Sequence, residues 1–284
     1  MHRLIVIEGV AGTGKTTFMH RLKADLETVG YTVHTYDEGT HPYLDLAYSA
    51  ILTFEAKQAL IQQFPALESE INRLAVNVGD KVILPYTKIE PTRITQSFIE
   101  TCEKHNVHLN DDFTRYKAVY EALWRHYKGL KPNGIHIITG VFMQNHHDFL
   151  HLKKKRKVAE IISFYQRFIN LLDPIVTHIE HDDVAAAINR VLAIRDASDD
   201  LWYWREAVKR ELAALPLAKA RRYHRDENLI AYFIDQQQST RRLFEQLDLN
   251  HRTYRLQDDY DIVYDRLCAD LRAQLKKPRK TLEM

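Results

Sequence analysis

Gly9, Gly14, Lys15 and Thr16 are spaced as G-x-x-x-x-G-K-[ST], a pattern whose chemistry is the capture of a polyphosphate. Each residue type has a physical reason to be there. Glycine turns the backbone at positive φ and lets N–H groups approach a phosphate with no Cβ between them. Those N–H groups, with the positive end of a following helix dipole, form an anion site. The Lys15 ammonium reaches the β- and γ-phosphates, and the Thr16 hydroxyl sits on Mg²⁺. The chain has nine glycines, and Gly9, Gly12 and Gly14 all fall in this loop. The expected nucleotide-binding residues are Gly9, Ala11, Gly12, Thr13, Gly14, Lys15, Thr16 and Thr17, with ATP and Mg²⁺ as ligands. A glycine-rich turn without a ligand is the competing reading, and it needs strand, loop, lysine and threonine to coincide by accident.

Such a loop works only between a strand and a helix. The apolar run Leu4 to Ile7 is strand-like, and Phe18, Leu22, Leu26 and Val29 recur at helical spacing. Tyr31 to Asp37 reads as a second strand, ending in Asp37-Glu38-Gly39, so two carboxylates stand where a parallel strand delivers side chains to a ligand crevice. An acidic turn capping a helix from Gly39 or Thr40 is the other reading of that pair. Residues 42–75 follow a helical pattern. Asp80 to Lys88 is strand-like, but Pro85 demotes it to an edge or a loop.

A helix is expected over 111–129, its stripe of Phe113, Tyr116, Tyr120, Leu123 and Tyr127 read as core packing rather than a stacking platform. Ile135 to Thr139 is a strand, 154–172 a helix, Ile175 to Ile179 a strand, and Val184 to Leu192 a helix with Arg190 and Arg195 in or just beyond it. Residues 198–248 read as mostly helical. Thr253 to Leu256 is a last strand, and Tyr260, Val263, Tyr264, Leu267 and Leu271 build a closing helix. Strands near 5, 34, 137, 177 and 254, separated by helices, make a parallel α/β sheet. No Pro/Gly/Ser linker divides the chain, so one domain is expected.

The 284 residues suffice for a sizeable core, and 45% apolar with 27% charged residues is ordinary for a globular protein. Lys and Arg number 40 against 38 Asp and Glu, a net +2 that makes no case for nucleic acid or membrane as a partner. Cys102 and Cys268, far apart in sequence, fit a reduced, cytoplasmic protein. The N-terminus enters the first strand at once, which leaves no room for a signal peptide, and no apolar run reaches membrane length. His146, His147 and His151 lack the further ligand that a zinc site wants. The basic run Lys153 to Lys157 opens the 154–172 helix and reads as a solvated or phosphate-facing turn, not a nucleic-acid patch. Glu8, on a buried strand, is either a bridge to Lys15 or the metal's water, or a structural carboxylate.

Together these residues resemble the nucleoside and nucleotide kinase branch of the P-loop proteins. Ile7-Glu8-Gly9 leading into Gly14-Lys15-Thr16-Thr17 is similar to the opening of thymidylate kinases. Asp37-Glu38 resembles the position where deoxynucleoside kinases carry the carboxylate that activates a substrate hydroxyl. Asp173-Pro174, the strand after it, and Arg190 and Arg195 resemble the strand and arginine-bearing lid of that group. Gln257-Asp258-Asp259 resembles the loop that flanks adenine. Segments Asp37 to Pro42, Pro85 to Ile89 and Phe142 to Asn145 are similar to segments of certain bacterial P-loop proteins. The chain departs from the pattern where Thr139-Gly140 replaces the usual acid and following arginine at the end of a strand.

The resemblance implies a P-loop NTPase fold, three-layer α/β/α with a five-stranded parallel sheet, a helical substrate lobe at about 40–130 and a helical lid at about 190–248. It implies an ATP- and Mg²⁺-dependent kinase acting on a small-molecule acceptor, a nucleoside or nucleotide, with a homodimer as the candidate assembly. Lys15, Glu38, Arg190 and Arg195 are the catalytic candidates, and Thr16 with Asp37 the metal ligands. A solvated helix face, with the arginines paired to Asp196 and Asp199, is the alternative for Arg190 and Arg195. A nucleotide-operated interaction protein is the alternative for the whole.

Overall fold

Leu4 to Ile7 is apolar on both faces because β1 (His2–Glu8) runs through the middle of a five-stranded parallel sheet. The order is β2 (Val33–Tyr36), β6 (Gly134–Thr139), β1, β7 (Ile175–His181) and β8 (His251–Leu256). Ile5 stands opposite Ile137 in β6 and Ile175 in β7, and Ile179 of β7 stands opposite Tyr254 in β8. The computed structural model describes residues 2–109, 112–140, 148–196, 203–256 and 260–275. Phe142 to Asn145 and Gln257 to Asp259, read above as family-like, lie outside the described residues, as do His146 and His147.

The chain divides into two compact units, one of Met1–Thr35, Asn133–Thr139 and Pro174–Met284, the other of Tyr36–Pro132 and Gly140–Asp173. The expected lobe at 40–130 falls in the second and the expected lid at 190–248 in the first.

In the first unit, α1 (Lys15–Thr28) and α11 (Tyr260–Leu275) press Phe18, Leu22, Leu26, Tyr264, Leu267 and Leu271 onto one face of the sheet. Ile5, Ile7, Ile137, Ile179, Tyr254 and Leu256 meet them there. The alternation of a strand then sends His178 and Glu180 of β7 to the opposite face. There α10 (Asp226–Phe244) meets them with Phe244 and Arg241. Helices thus flank both faces.

The second unit corrects two expectations. Residues 42–75 are not helical throughout: β3 (Ala50–Leu52) precedes α2 (Phe54–Gln63) and α3 (Glu68–Leu74). The stretch around Pro85 is neither edge nor loop. β5 (Lys81–Leu84) is the central strand of an antiparallel sheet ordered β3-β5-β4, with β4 at Val76–Val78. Pro85 falls one residue past the last ladder position, so its missing N–H costs the sheet nothing. Val82 and Leu84 are buried with Leu60, Ile71, Phe98 and Cys102, the last two from α4 (Gln96–Glu103).

The aromatic stripe is core. In α5 (Phe113–Leu130), Tyr116, Tyr120 and Trp124 are buried, and Trp124 meets Phe164 and Phe168 of α6 (Val158–Leu172) at ring-centroid distances of 5.0 and 4.9 Å. The basic run does not open that helix, which begins only at Val158. Lys155 has φ 52, a left-handed residue that breaks any helix through the run. Lys153 instead donates to the carbonyls of His108 and Leu109, Lys154 is buried with its ammonium 4.6 Å from the Phe149 ring, and Arg156 lies over Phe113.

Two buried histidines make stability pH-dependent. His108, its Nε2 2.6 Å from the Tyr120 hydroxyl, has its pKa pushed down to about 3 by burial, with Lys153 and Lys154 adding. His178 is pushed down to about 4, again mainly by burial and against the pull of Glu180. The unfolded chain protonates both near about pH 6.5. Their contribution is therefore complete above that pH and is lost as the pH falls towards the folded values. Denaturant unfolding at pH 7 and pH 5 is expected to show a loss of up to about 1.4 kcal/mol per pH unit for each histidine. Equal stability at the two pH values would contradict this.

Candidate phosphate-binding site

The loop between β1 and α1 has the shape its sequence calls for. Gly14 takes φ 73 as the N-cap of α1, a left-handed conformation that glycine adopts without strain. Gly9 has no room for a side chain: a Cβ there would stand 2.5 Å from the Ile179 carbonyl oxygen. The first turn of α1 carries no side-chain cap and no acidic residue. Its N–H groups and the positive helix end therefore stay available to an anion. Thr16 and Thr17 are exposed in that turn, and Ala11 is half-buried.

Lys15 folds back over the loop. Its Nζ donates to the Gly9 carbonyl at 2.7 Å and the Val10 carbonyl at 3.0 Å. The Val10 oxygen also accepts from the Thr13 hydroxyl at 2.9 Å and from the Thr13 N–H at 3.4 Å. A carbonyl has two lone pairs, so three donors crowd it. A phosphate that took over Lys15 Nζ and the Thr13 N–H would relieve the crowding and leave the Thr13 hydroxyl in place. Lys15 thus waits where a phosphate would find it.

Tyr260, read from the sequence as part of the closing helix, is 41% exposed beside the loop. Its ring stacks on Phe18 with centroids 5.9 Å apart, and its hydroxyl donates to the Gly12 carbonyl at 2.9 Å. The helix α7 (Val184–Asp196) packs on the same glycine, since a Cβ on Gly12 would lie 2.4 Å from Val191 Cγ2. Beyond it, β7 ends in His181, buried next to Gly12. Burial pushes the His181 pKa down and the charges of Arg190 and Lys15 add to that, against the pull of the Gly12 backbone.

Arg190 is exposed on α7; its charge adds to the lowering of the His181 pKa and opposes the rise that burial gives the Tyr260 phenol. The Arg195 guanidinium lies 4.1 Å from the centroid of Trp204, in α8 (Tyr203–Ala214). The side chains of Asp196 and Asp199, the alternative partners, lie outside the described residues.

Asp37 and Glu38 belong to the second unit. They form a tight turn in which the Thr40 N–H and hydroxyl donate to the Asp37 carbonyl at 3.0 and 2.8 Å. Asp37 is exposed, and the Gly39 N–H donates to the buried Asp45 carboxylate. Glu8 is 1% exposed and pairs in register with His178, while Thr139 is buried opposite Ile7.

Sequence reasoning missed Tyr260 and His181. Tyr260 matches Tyr264 at helical spacing and so looks like core. His181 left a faint signal, because it is a polar residue in the same alternation as Ile175 and Ile179, at the strand's ligand-facing end.

No family model matches the chain, and no curated protein matches it. Among solved structures it is similar to the shikimate kinase from Acinetobacter baumannii in complex with shikimate, at 12% identity, 97% of either chain covered and TM-score 0.39. It is also similar to the shikimate kinase from Aquifex aeolicus, at 9% identity, 97% of this chain and 99% of that one covered, and TM-score 0.32. Likenesses this distant decide neither substrate nor chemistry.

Proposed function

We propose that this protein is an ATP-dependent phosphotransferase that passes the γ-phosphate to a hydroxyl or phosphate group of a small molecule, with a nucleoside or nucleotide as the acceptor. The observation that carries the reading is the glycine loop with Lys15 folded over its Gly9 and Val10 carbonyls. Phosphoryl transfer asks a protein mainly for positioning and charge neutralisation. Lys15 meets the β/γ oxygens, and the loop N–H groups hold the rest of the polyphosphate. Mg²⁺, which takes hard oxygen ligands, suits the exposed Thr16 hydroxyl, with Asp37 as a proposed further ligand. It would neutralise phosphate charge. Glu38 is proposed to orient the acceptor hydroxyl as general base.

Arg190 and Arg195 are proposed to stabilise the transferring group, and their surroundings rank them. Arg190→Ala is expected to lower kcat at least about a hundredfold, the scale of a charge-stabilising arginine. Arg195→Ala should cost about tenfold or less, because its guanidinium is engaged on Trp204. Equal losses in an ADP-release assay would contradict the ranking.

An ADP-release screen over nucleosides and nucleoside monophosphates tests the proposal, and acceptor-dependent ADP is the expected result. Thr139, buried where kinases of this kind carry an acid, favours the second reading, a nucleotide-operated interaction protein. That reading takes over if ATP binds tightly, no acceptor is turned over, and a partner distinguishes the ATP form from the ADP form.

A further inference from the structure

One carbonyl of the loop is approached from two sides. The Tyr260 hydroxyl donates to Gly12 O at 2.9 Å. The His181 ring lies alongside, its buried Nε2 3.9 Å from where a Cβ on Gly12 would stand, and the Gly12 backbone accepts from the ring, pulling its pKa up against burial. His181 is itself held in place. Gln237 of α10 accepts from its backbone N–H at 3.0 Å and donates to its carbonyl at 2.9 Å, so the strand end is clamped from both sides.

The consequence follows from peptide geometry. The link between Gly12 and Thr13 is planar and trans, so fixing the Gly12 carbonyl sets the Thr13 N–H on the other side of the same plane. That N–H is loosely engaged, 3.4 Å from the Val10 oxygen. We propose that Tyr260 and His181 are positioning residues of the phosphate loop, holding the Gly12 carbonyl so that the Thr13 N–H is presented to a bound phosphate. The proposal rests on the nucleotide-binding reading above. It separates the Tyr260 hydroxyl, which acts on the loop, from the Tyr260 ring, which packs on Phe18.

Substitution separates the two as well. Tyr260→Phe keeps the ring and removes only the donor. In the full-length chain, titration calorimetry with magnesium pyrophosphate, ADP and ATP is expected to show Tyr260→Phe weakening all three by the same factor, about three- to tenfold, as one hydrogen bond warrants. His181→Phe should do likewise, and His181→Gln, which keeps an N–H donor at similar reach, should restore affinity to within about twofold. Thermal unfolding checks that each variant is folded, and Tyr260→Phe carries the test if the buried His181→Phe is not. Wild-type affinity of Tyr260→Phe for pyrophosphate would overturn the proposal, as would a loss confined to ADP and ATP, which would assign the hydroxyl to the base. A wild-type protein that bound none of the three would instead sink the nucleotide reading itself, a result distinct from either.

Discussion

Lys15→Ala is expected to weaken ATP binding at least about a hundredfold while leaving the fold intact. The ammonium spans the Gly9 and Val10 carbonyls at 2.7 and 3.0 Å, beside the uncapped N-terminus of α1. Moved onto phosphate oxygens, its hydrogen bonds become charge-assisted at both ends, worth about 1.5–3 kcal/mol each. Two such contacts come to about 3–6 kcal/mol, and about 1.4 kcal/mol is tenfold in affinity. Stability should change little, because the Lys15 side chain is only part-buried. Calorimetric titration with Mg·ATP reads the loss. Affinity within about threefold of wild type would remove Lys15 from the phosphate site.

The second large effect concerns stability. Glu180 is 1% exposed on β7, and Arg241 binds it through two bonds, Nε to Oε1 at 2.9 Å and Nη2 to Oε2 at 2.6 Å. Arg241→Ala would leave that carboxylate buried without its bidentate partner, with the His178 ring, Nδ1 3.4 Å away, held largely neutral by burial. Breaking a fully buried pair costs about 3–5 kcal/mol. Arg241 is 43% exposed, so water can partly replace it, and a loss of about 2–3 kcal/mol is expected. The double variant Glu180→Gln with Arg241→Met should lose less than Arg241→Ala, since it leaves no buried charge behind. Urea unfolding at pH 7 decides it: a single variant within about 0.5 kcal/mol of wild type would show the pair to be ornamental.

The two predictions fall on residues of very different legibility. The loop could be read because its chemistry is local: three glycines, a lysine and a threonine within a few positions, framed by an apolar strand and a periodic helix. The sheet was legible for a similar reason, since strands such as Leu4 to Ile7 and Ile135 to Thr139 are buried on both faces and show as apolar runs. The small antiparallel sheet was not. β3 and β4 have three residues each, too few for a period of two to declare itself. Pro85 pointed away from a strand although it lies just past the end of one.

The Glu180–Arg241 pair and the Tyr260–Gly12 contact join residues 61 and 248 positions apart, and nothing in local spacing announces them. Arg190 and Arg195 looked equivalent in sequence. Five positions along α7 separate a side chain whose charge acts on His181 from one stacked on Trp204, and the packing of α8 against α7 distinguishes them.

The proposed activity requires the γ-phosphorus of ATP to change its bonding partner. Phosphorus-31 NMR of Mg·ATP with the protein and a panel of nucleosides and nucleoside monophosphates observes that atom directly. Transfer predicts a new phosphate-ester or phosphoanhydride resonance growing in step with ADP, present with an accepted substrate and absent from Lys15→Ala. An ATP spectrum unchanged across the panel, or one that yields only inorganic phosphate, would contradict phosphotransfer to these acceptors and leave nucleotide binding as the loop's work.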